Sequence, residues 1–230
     1  MLVNNSVAIS IPAYNDEATI KDVVNDSIAV LSEICDDYEV VVVDDGSTDG
    51  TGTVIDGLSQ QNRHIRVYHH PGNRGFGGTI KEVFELPKKE LIFFIPGDGQ
   101  IHPREIIKVI GSIKDNDYVL GKRKSRSDSF QRKINSFLYN LVISLVAGKR
   151  ITDVNSVALL RKESLKGIVL NSRSAFIHAE ILLKMLRKGA SVTEVEIEHR
   201  KRSHGKAGGN RIPVIISTVR DLAGYLAGKL

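Results

Sequence analysis

The chain has 230 residues, of which 41% are hydrophobic. That is enough to bury the core of one large α/β domain, and it excludes a disordered chain. A single cysteine, Cys35, excludes an intramolecular disulfide and a cysteine-rich metal site, and no apolar run reaches the ~18 residues of a membrane-spanning helix.

The net charge of +5 is unevenly spread. Residues 1–60 carry 12 acidic residues and one lysine, so the remainder carries a net +16. Such asymmetry points to a polyanionic partner for the second half, against the plain alternative of a solvated basic face.

In chain order, residues 6–11 alternate and then meet Pro12, which predicts a first strand ending there. Asn15 or Asp16 is placed to cap a helix carrying Ile20, Val23, Val24, Ile28 and Leu31 at helical spacing. Residues 38–43, with four consecutive valines, predict a second strand running into an acidic loop at 44–51. A short helix follows with Val54, Ile55 and Leu58, then a third strand at 65–69 and a glycine-rich loop at 72–78. Another helix runs to about Phe84. Residues 91–95 form a buried-type strand stopped by Pro96, with a helix over 105–113 behind it. Strand alternating with helix implies a parallel sheet, so the four loops 12–17, 44–51, 72–78 and 98–100 should line one crevice at the strands' carboxyl ends.

The second half is less regular. Residues 129–146 predict a helix with a wide apolar stripe of Ile134, Phe137, Leu138, Leu141, Val142, Leu145 and Val146. Arg132, Asn135, Ser136 and Asn140 lie off that stripe. A strand at 157–160, a helix at 179–186, a strand at 192–197 and an amphipathic helix at 212–226 complete the pattern. With no repeat and no linker, one domain over 1–230 is expected.

The loops carry chemistry. Asp44 and Asp45 cannot both be buried unpaired; one suits a base or ribose, while the other caps the following turn. Tyr14 offers a ring to a base. The 72–78 loop allows close backbone approach, with Arg74 set to meet phosphate. As a dinucleotide fingerprint this loop is weak. Asp98, between two glycines just past the fourth strand, suits a hard cation or a diphosphate, against the plain alternative of an Asp-Gly turn. Together these residues suggest a nucleoside diphosphate bound through a divalent cation.

Ser10-Ile-Pro-Ala-Tyr-Asn-Asp-Glu17 and Val43-Asp-Asp-Gly-Ser-Thr-Asp-Gly-Thr51 resemble the opening of the family-2 inverting glycosyltransferases of GT-A fold. More of the chain is similar to the branch that glycosylates dolichol or polyprenyl phosphate with mannose or glucose. The matching segments are Gly97-Asp-Gly-Gln-Ile-His-Pro103, Gly121-Lys122-Arg123, Arg132 with Ser136 and Asn140, Asp153 with Ser156, Glu180, and Arg202 with Gly205. The resemblance runs from about Val7 to about Gly209. It departs at Pro96, where the branch has an acid, around Lys206-Ala207, where it has a serine, and in lacking the long membrane helices that some relatives append.

The resemblance implies an α/β GT-A fold, with a Rossmann-like, mostly parallel central sheet and helices on both faces. About 1–120 would bind the nucleotide sugar and about 121–230 the acceptor. It implies transfer of a hexose, with inversion, from a GDP- or UDP-linked sugar to a polyprenyl or dolichyl phosphate. Asp98 and Gln100 would hold Mg²⁺ or Mn²⁺. Pro12, Tyr14, Asn15, Glu17, Asp44, Asp45, Arg74, Gly75 and Asp98 would bind the donor. Arg123, Arg132, Ser136 and Arg202 would hold the acceptor phosphate, an anion needing no general base. The catalytic set is then Asp98, Arg123, Arg132, Arg202 and Glu180.

Two rivals remain at this level. One is transfer to a sugar hydroxyl of a glycan or glycolipid with Glu180 as base, the plain alternative being a helix-surface glutamate. The other is a module that binds nucleotide or lipid without catalysis, motivated by Pro96. Nucleic acid is disfavoured, because the basic groups are interrupted and few aromatic residues accompany them. The missing secretion signal suggests a cytoplasmic protein. Residues 129–146, beside Arg132 and Lys133, and the last helix, flanked by Arg211, Arg220 and Lys229, suggest a peripheral site on the cytosolic membrane surface. The plain alternative turns both stripes to the core or to a second subunit of a homo-oligomer.

Overall fold

A computed structural model describes residues 3–124, 130–201 and 212–230. Its frame is a seven-stranded sheet of β1 (Val7–Ala13), β2 (Tyr38–Asp44), β3 (Ile65–His69), β4 (Leu91–Phe94), β5 (Tyr118–Arg123), β6 (Ala158–Arg161) and β7 (Val192–Ile197), in the order β3-β2-β1-β4-β6-β5-β7. All neighbours are parallel except the two pairs involving β6, which runs against both β4 and β5. The sheet is therefore mostly parallel, as expected.

Helices α1 (Ile20–Ile34), α2 (Thr51–Gln61), α3 (Phe76–Glu85), α4 (Ile106–Ile110), α5 (Phe130–Ala147), α6 (Ile177–Arg187) and α7 (Ile212–Leu226) complete the described fold. Strand alternation divides the core between the two sheet faces. Val40 and Val42 pack with Ile20, Val24 and Ile106 of α1 and α4, whereas Val41 and Val43 pack with Ile80 of α3 and Ile181 of α6.

Several elements depart from the sequence-based expectation. β1 does not stop at Pro12 but runs on to Ala13. The Pro12 carbonyl accepts the Gly97 N–H (3.2 Å), so the N–H that proline lacks would face the side where β4 has already ended. The glycine loop is shorter than expected, because Phe76, Gly77 and Gly78 already belong to α3. Gly77 serves packing there: a Cβ on it would lie 2.3 Å from the Arg173 carbonyl carbon. Neither Asn15 nor Asp16 caps α1 with its side chain; Thr19 holds the N-cap position, and Asn15 adopts φ +56°. The expected helix at 105–113 contains only five α-helical residues, flanked by single 3₁₀ turns. β5 was not anticipated as a strand, although Tyr118, Val119 and Leu120 are fully buried.

Candidate functional site

The four loops meet at the carboxyl edge of the sheet, and each contact is specific. The loop after β1 braces the loop after β2. Asn15 Oδ1 accepts the Thr48 N–H (2.8 Å), Glu17 Oε2 accepts the Gly50 N–H (3.0 Å), and the Asn15 N–H donates to Ser47 Oγ (3.0 Å). Tyr14, beside them, leaves its ring half exposed. The Gly97 carbonyl accepts Thr19 Oγ1–H (2.8 Å), which ties the loop after β4 to the start of α1.

Asp44 and Asp45 of the acidic loop are both buried, and both are satisfied from within. Asp44 Oδ1 accepts the Ser47 N–H (3.0 Å) and hydroxyl (2.5 Å), while Oδ2 lies 2.9 Å from His69 Nδ1. Asp45 Oδ1 accepts the Arg74 N–H (2.8 Å) and lies 2.7 Å from His70 Nδ1, and Oδ2 accepts the Gly75 N–H (3.1 Å). Asp45 thus folds the glycine loop over the end of β2. The Arg74 guanidinium donates to Glu82 (2.8 Å), whose other oxygen lies 2.9 Å from His70 Nε2.

The sequence motifs do not mark His69 and His70, although His69 ends the third strand and His70 directly follows it. Each ring bridges two carboxylates: His69 those of Asp44 and Asp56, and His70 those of Asp45 and Glu82. Burial of His69 opposes the charged form, but its hydrogen bonds to Asp44 and Asp56, with their charges, outweigh burial and raise its pKa.

Asp98 lies past β4, partly buried, with Oδ1 accepting the Gln100 N–H (3.0 Å). The Gln100 carbonyl accepts the Arg200 N–H (2.8 Å), so the chain leaving β7 brings His199 and Arg200 to this loop. Among the described residues no group of three or more His, Cys, Asp or Glu side chains forms a metal cage. With Pro96 in place of an acid, the donor set fits a hard cation held by one carboxylate, an amide oxygen, phosphate oxygens and water. In this loop Asp98 carries the carboxylate and Gln100 the side-chain amide.

In the second half, Arg123 is clamped to Asp153 by two charge-assisted bonds (Nε 2.7 Å, Nη2 2.6 Å), and both side chains are largely buried. The Asn140 carbonyl oxygen of the side chain accepts the adjoining Val154 N–H (3.0 Å), and its amide nitrogen donates to Ser136 Oγ (3.3 Å). Arg123, Asp153, Asn140 and Ser136 are therefore one connected set, with Arg132 one turn before Ser136 on α5. Arg202, with Gly205, Lys206, Ala207, Gly209 and Arg211, lies outside the described residues.

Glu180 departs from both expectations for it. It is neither a surface glutamate nor a base facing solvent. Its side chain is completely buried, accepting the Asn171 (3.0 Å) and Ser172 (2.9 Å) N–H groups and pairing with Lys184 (2.6 Å). Buried backbone donors in that turn need an acceptor, and Glu180 is it.

Except for Val146, which packs against the core, the apolar stripe of α5 does not face it. Ile143 is fully buried, but Phe137 is 66% and Leu145 75% exposed, with Leu138 and Leu141 exposed between them. On α7, Ile212, Ile216, Val219 and Leu226 are exposed likewise, while Tyr225 is buried. No helix among the described residues is long and apolar enough to cross a membrane.

A family model described as glycosyl transferase family 2 matches residues 8–169. Curated relatives include the undecaprenyl-phosphate 4-deoxy-4-formamido-L-arabinose transferases of Proteus mirabilis, 25% identical, and Aeromonas hydrophila, 28% identical. Each alignment spans 205 residues, 87% of this chain and 62% of the relative. The chain thus spans about three fifths of the length of these relatives. Among solved structures, glucosyl-3-phosphoglycerate synthase from Mycobacterium tuberculosis with Mn²⁺ and UDP-glucose matches at TM-score 0.74 and 16% identity, over 98% of this chain and 79% of that one. The same enzyme with Mn²⁺, UDP and glucosyl-3-phosphoglycerate matches at 0.73 and 17%, over 98% and 80%. This likeness shows the fold, which is GT-A.

Proposed function

Given that the chain belongs to glycosyl transferase family 2, we propose that it moves a sugar, with inversion, from a UDP- or GDP-linked donor to a polyprenyl phosphate. The observation that carries the acceptor is the apolar strip of α5. It starts at the helix end that holds Arg132 and Ser136 and continues through Phe137, Leu138, Leu141 and Leu145 into solvent. A phosphate at the polar end and an isoprenoid tail along the strip would satisfy both. The undecaprenyl-phosphate transferases among the relatives support the same reading.

In this reading a phosphate oxygen of the acceptor attacks the anomeric carbon. The new C–O bond forms as the bond to the nucleoside diphosphate breaks, and that group leaves with the electron pair. The phosphate is already an anion, so the chain supplies position rather than a base. Asp153 fixes the direction of the Arg123 guanidinium, and Arg132, Arg202 and Ser136 add donors. On the donor side, Tyr14 and Pro12 offer a face to the base. Asp44 and Asp45 shape the loops, and Asp45 holds the Arg74 and Gly75 backbone in place. Mg²⁺ or Mn²⁺ at Asp98 and Gln100 would neutralise charge growing on the leaving diphosphate. The exposed strips of α5 and α7 suit a peripheral place on the cytosolic membrane surface.

The test is transfer of radiolabelled sugar from UDP- and GDP-sugars to a polyprenyl phosphate, read by partition into organic solvent, with Mn²⁺, Mg²⁺ or chelator. Metal-dependent label in the lipid phase is expected. Label appearing only on a water-soluble sugar hydroxyl would overturn the acceptor, and no transfer from any donor would overturn the activity.

A further inference from the structure

His178, the second residue of α6, is fully buried, and neither ring nitrogen has a hydrogen-bond partner among the described residues. Its neighbours are aromatic. Phe94 at the end of β4 lies 4.9 Å away between ring centroids, Phe76 at the start of α3 lies 5.5 Å away, and Phe84 meets it edge-on at 6.4 Å. An unpaired buried polar atom loses its hydration and gains no hydrogen bond in return. A phenylalanine at 178 would complete the cluster without that penalty, so packing alone does not account for a histidine.

The place of the cluster suggests what the imidazole is for. Phe94 ends the strand that leads into the Asp98 loop. Phe76 follows Gly75, whose N–H is held by Asp45 and whose φ is +79°. Phe84 and Phe94 are buried, while Phe76 is 50% exposed, so the cluster opens to solvent on the Phe76 side. Burial, and secondarily the charge of Arg123, push the His178 pKa down to about 4, which leaves the ring neutral near pH 7. A neutral imidazole offers one donor and one acceptor, as a hydroxyl does, whereas a phosphate oxygen only accepts.

We infer that His178 is a specificity residue for the transferred sugar: the Phe76 side chain turns aside, and the imidazole hydrogen-bonds a sugar hydroxyl of the donor. The inference rests on the glycosyltransferase reading and adds to it a residue that none of the sequence motifs marked.

The experiment pairs His178→Phe and His178→Gln with donors lacking one hydroxyl each. Wild type is expected to lose about 10-fold in kcat/KM with one such deoxy donor, the equivalent of one hydrogen bond. His178→Phe should lose the same factor with the complete donor and nothing further with that deoxy donor. His178→Gln, which keeps a donor and an acceptor, should recover part of the loss. Both variants should bind the nucleoside diphosphate without sugar as wild type does. The ¹⁵N signals of the His178 ring should shift with nucleotide sugar and not with nucleoside diphosphate.

Undiminished discrimination by His178→Phe would overturn the inference, whether or not its melting temperature changes. A loss confined to the KM for the lipid acceptor would overturn it equally. Absence of transfer by wild type from every donor would instead overturn the glycosyltransferase reading, and the role of His178 with it.

Discussion

Replacing Phe137 and Leu145 of α5 with serine tests where the apolar strip belongs. The two side chains are 66% and 75% exposed, so little of either packs against the protein. Surface substitutions of this kind change stability by only about 0.5 kcal/mol. Full burial of a Leu or Phe side chain is worth about 1.5–3 kcal/mol. Scaled by the exposed fraction, each side chain has about 1–2 kcal/mol to gain from entering a lipid interface, and the pair about 2–4 kcal/mol. Phe137→Ser with Leu145→Ser should therefore weaken partition onto anionic liposomes by about 30- to 1000-fold, at 1.4 kcal/mol per factor of ten. Flotation of protein with vesicles of mixed anionic and neutral lipid reads this directly. Wild-type binding should also weaken with salt, because Arg132 and Lys133 flank the strip. Flotation of the double variant equal to wild type, at unchanged melting temperature, would refute the reasoning and leave the strip for a second protein copy.

Asp98→Ala should abolish metal-dependent donor binding and transfer with the fold intact, measured by titration calorimetry with and without Mn²⁺; ordinary activity would exclude Asp98 from the cation site. Glu180→Ala should cost about 3 kcal/mol in urea unfolding, because it strands two backbone N–H groups and the Lys184 ammonium; unchanged stability with lost activity would restore Glu180 as a base. The pKa of His69 is raised in the folded state. Its contribution to stability is therefore complete below the unfolded value of about 6.5 and is lost as pH rises through the higher folded value. The difference in urea midpoint between wild type and His69→Gln should accordingly be larger at pH 6 than at pH 8.5, and a difference independent of pH would show that His69 is uncharged in its pairs.

Local pattern by itself determined most elements of this chain. The strands Ile65–His69 and Val192–Ile197 and the helix Ile212–Leu226 match their predicted bounds, because short apolar runs or a helical stripe end abruptly in polar residues. The meeting of the four loops was legible too, since parallel strands bring their carboxyl ends to one edge. Three other features depended on contacts distant in sequence. β6 runs antiparallel, and β5 inserts between β6 and β7; such pairings leave no mark in either strand's own residues. Gly77 looked like loop until the Arg173 backbone came to rest against it. The helical stripe of α5 was legible, but its exposure was not, because periodicity says which residues share a face and nothing about what covers that face. Glu180 shows the converse: every residue from Ile177 to Leu183 is buried, so the first two turns of α6 have no solvent face for a surface glutamate to occupy. The partners of Asp44 and Asp45 likewise came from the sheet. The register that sets Asp44 opposite His69 delivers the two histidines to the two carboxylates, and only the assembled tertiary structure brings residues 25 apart into hydrogen-bonding distance.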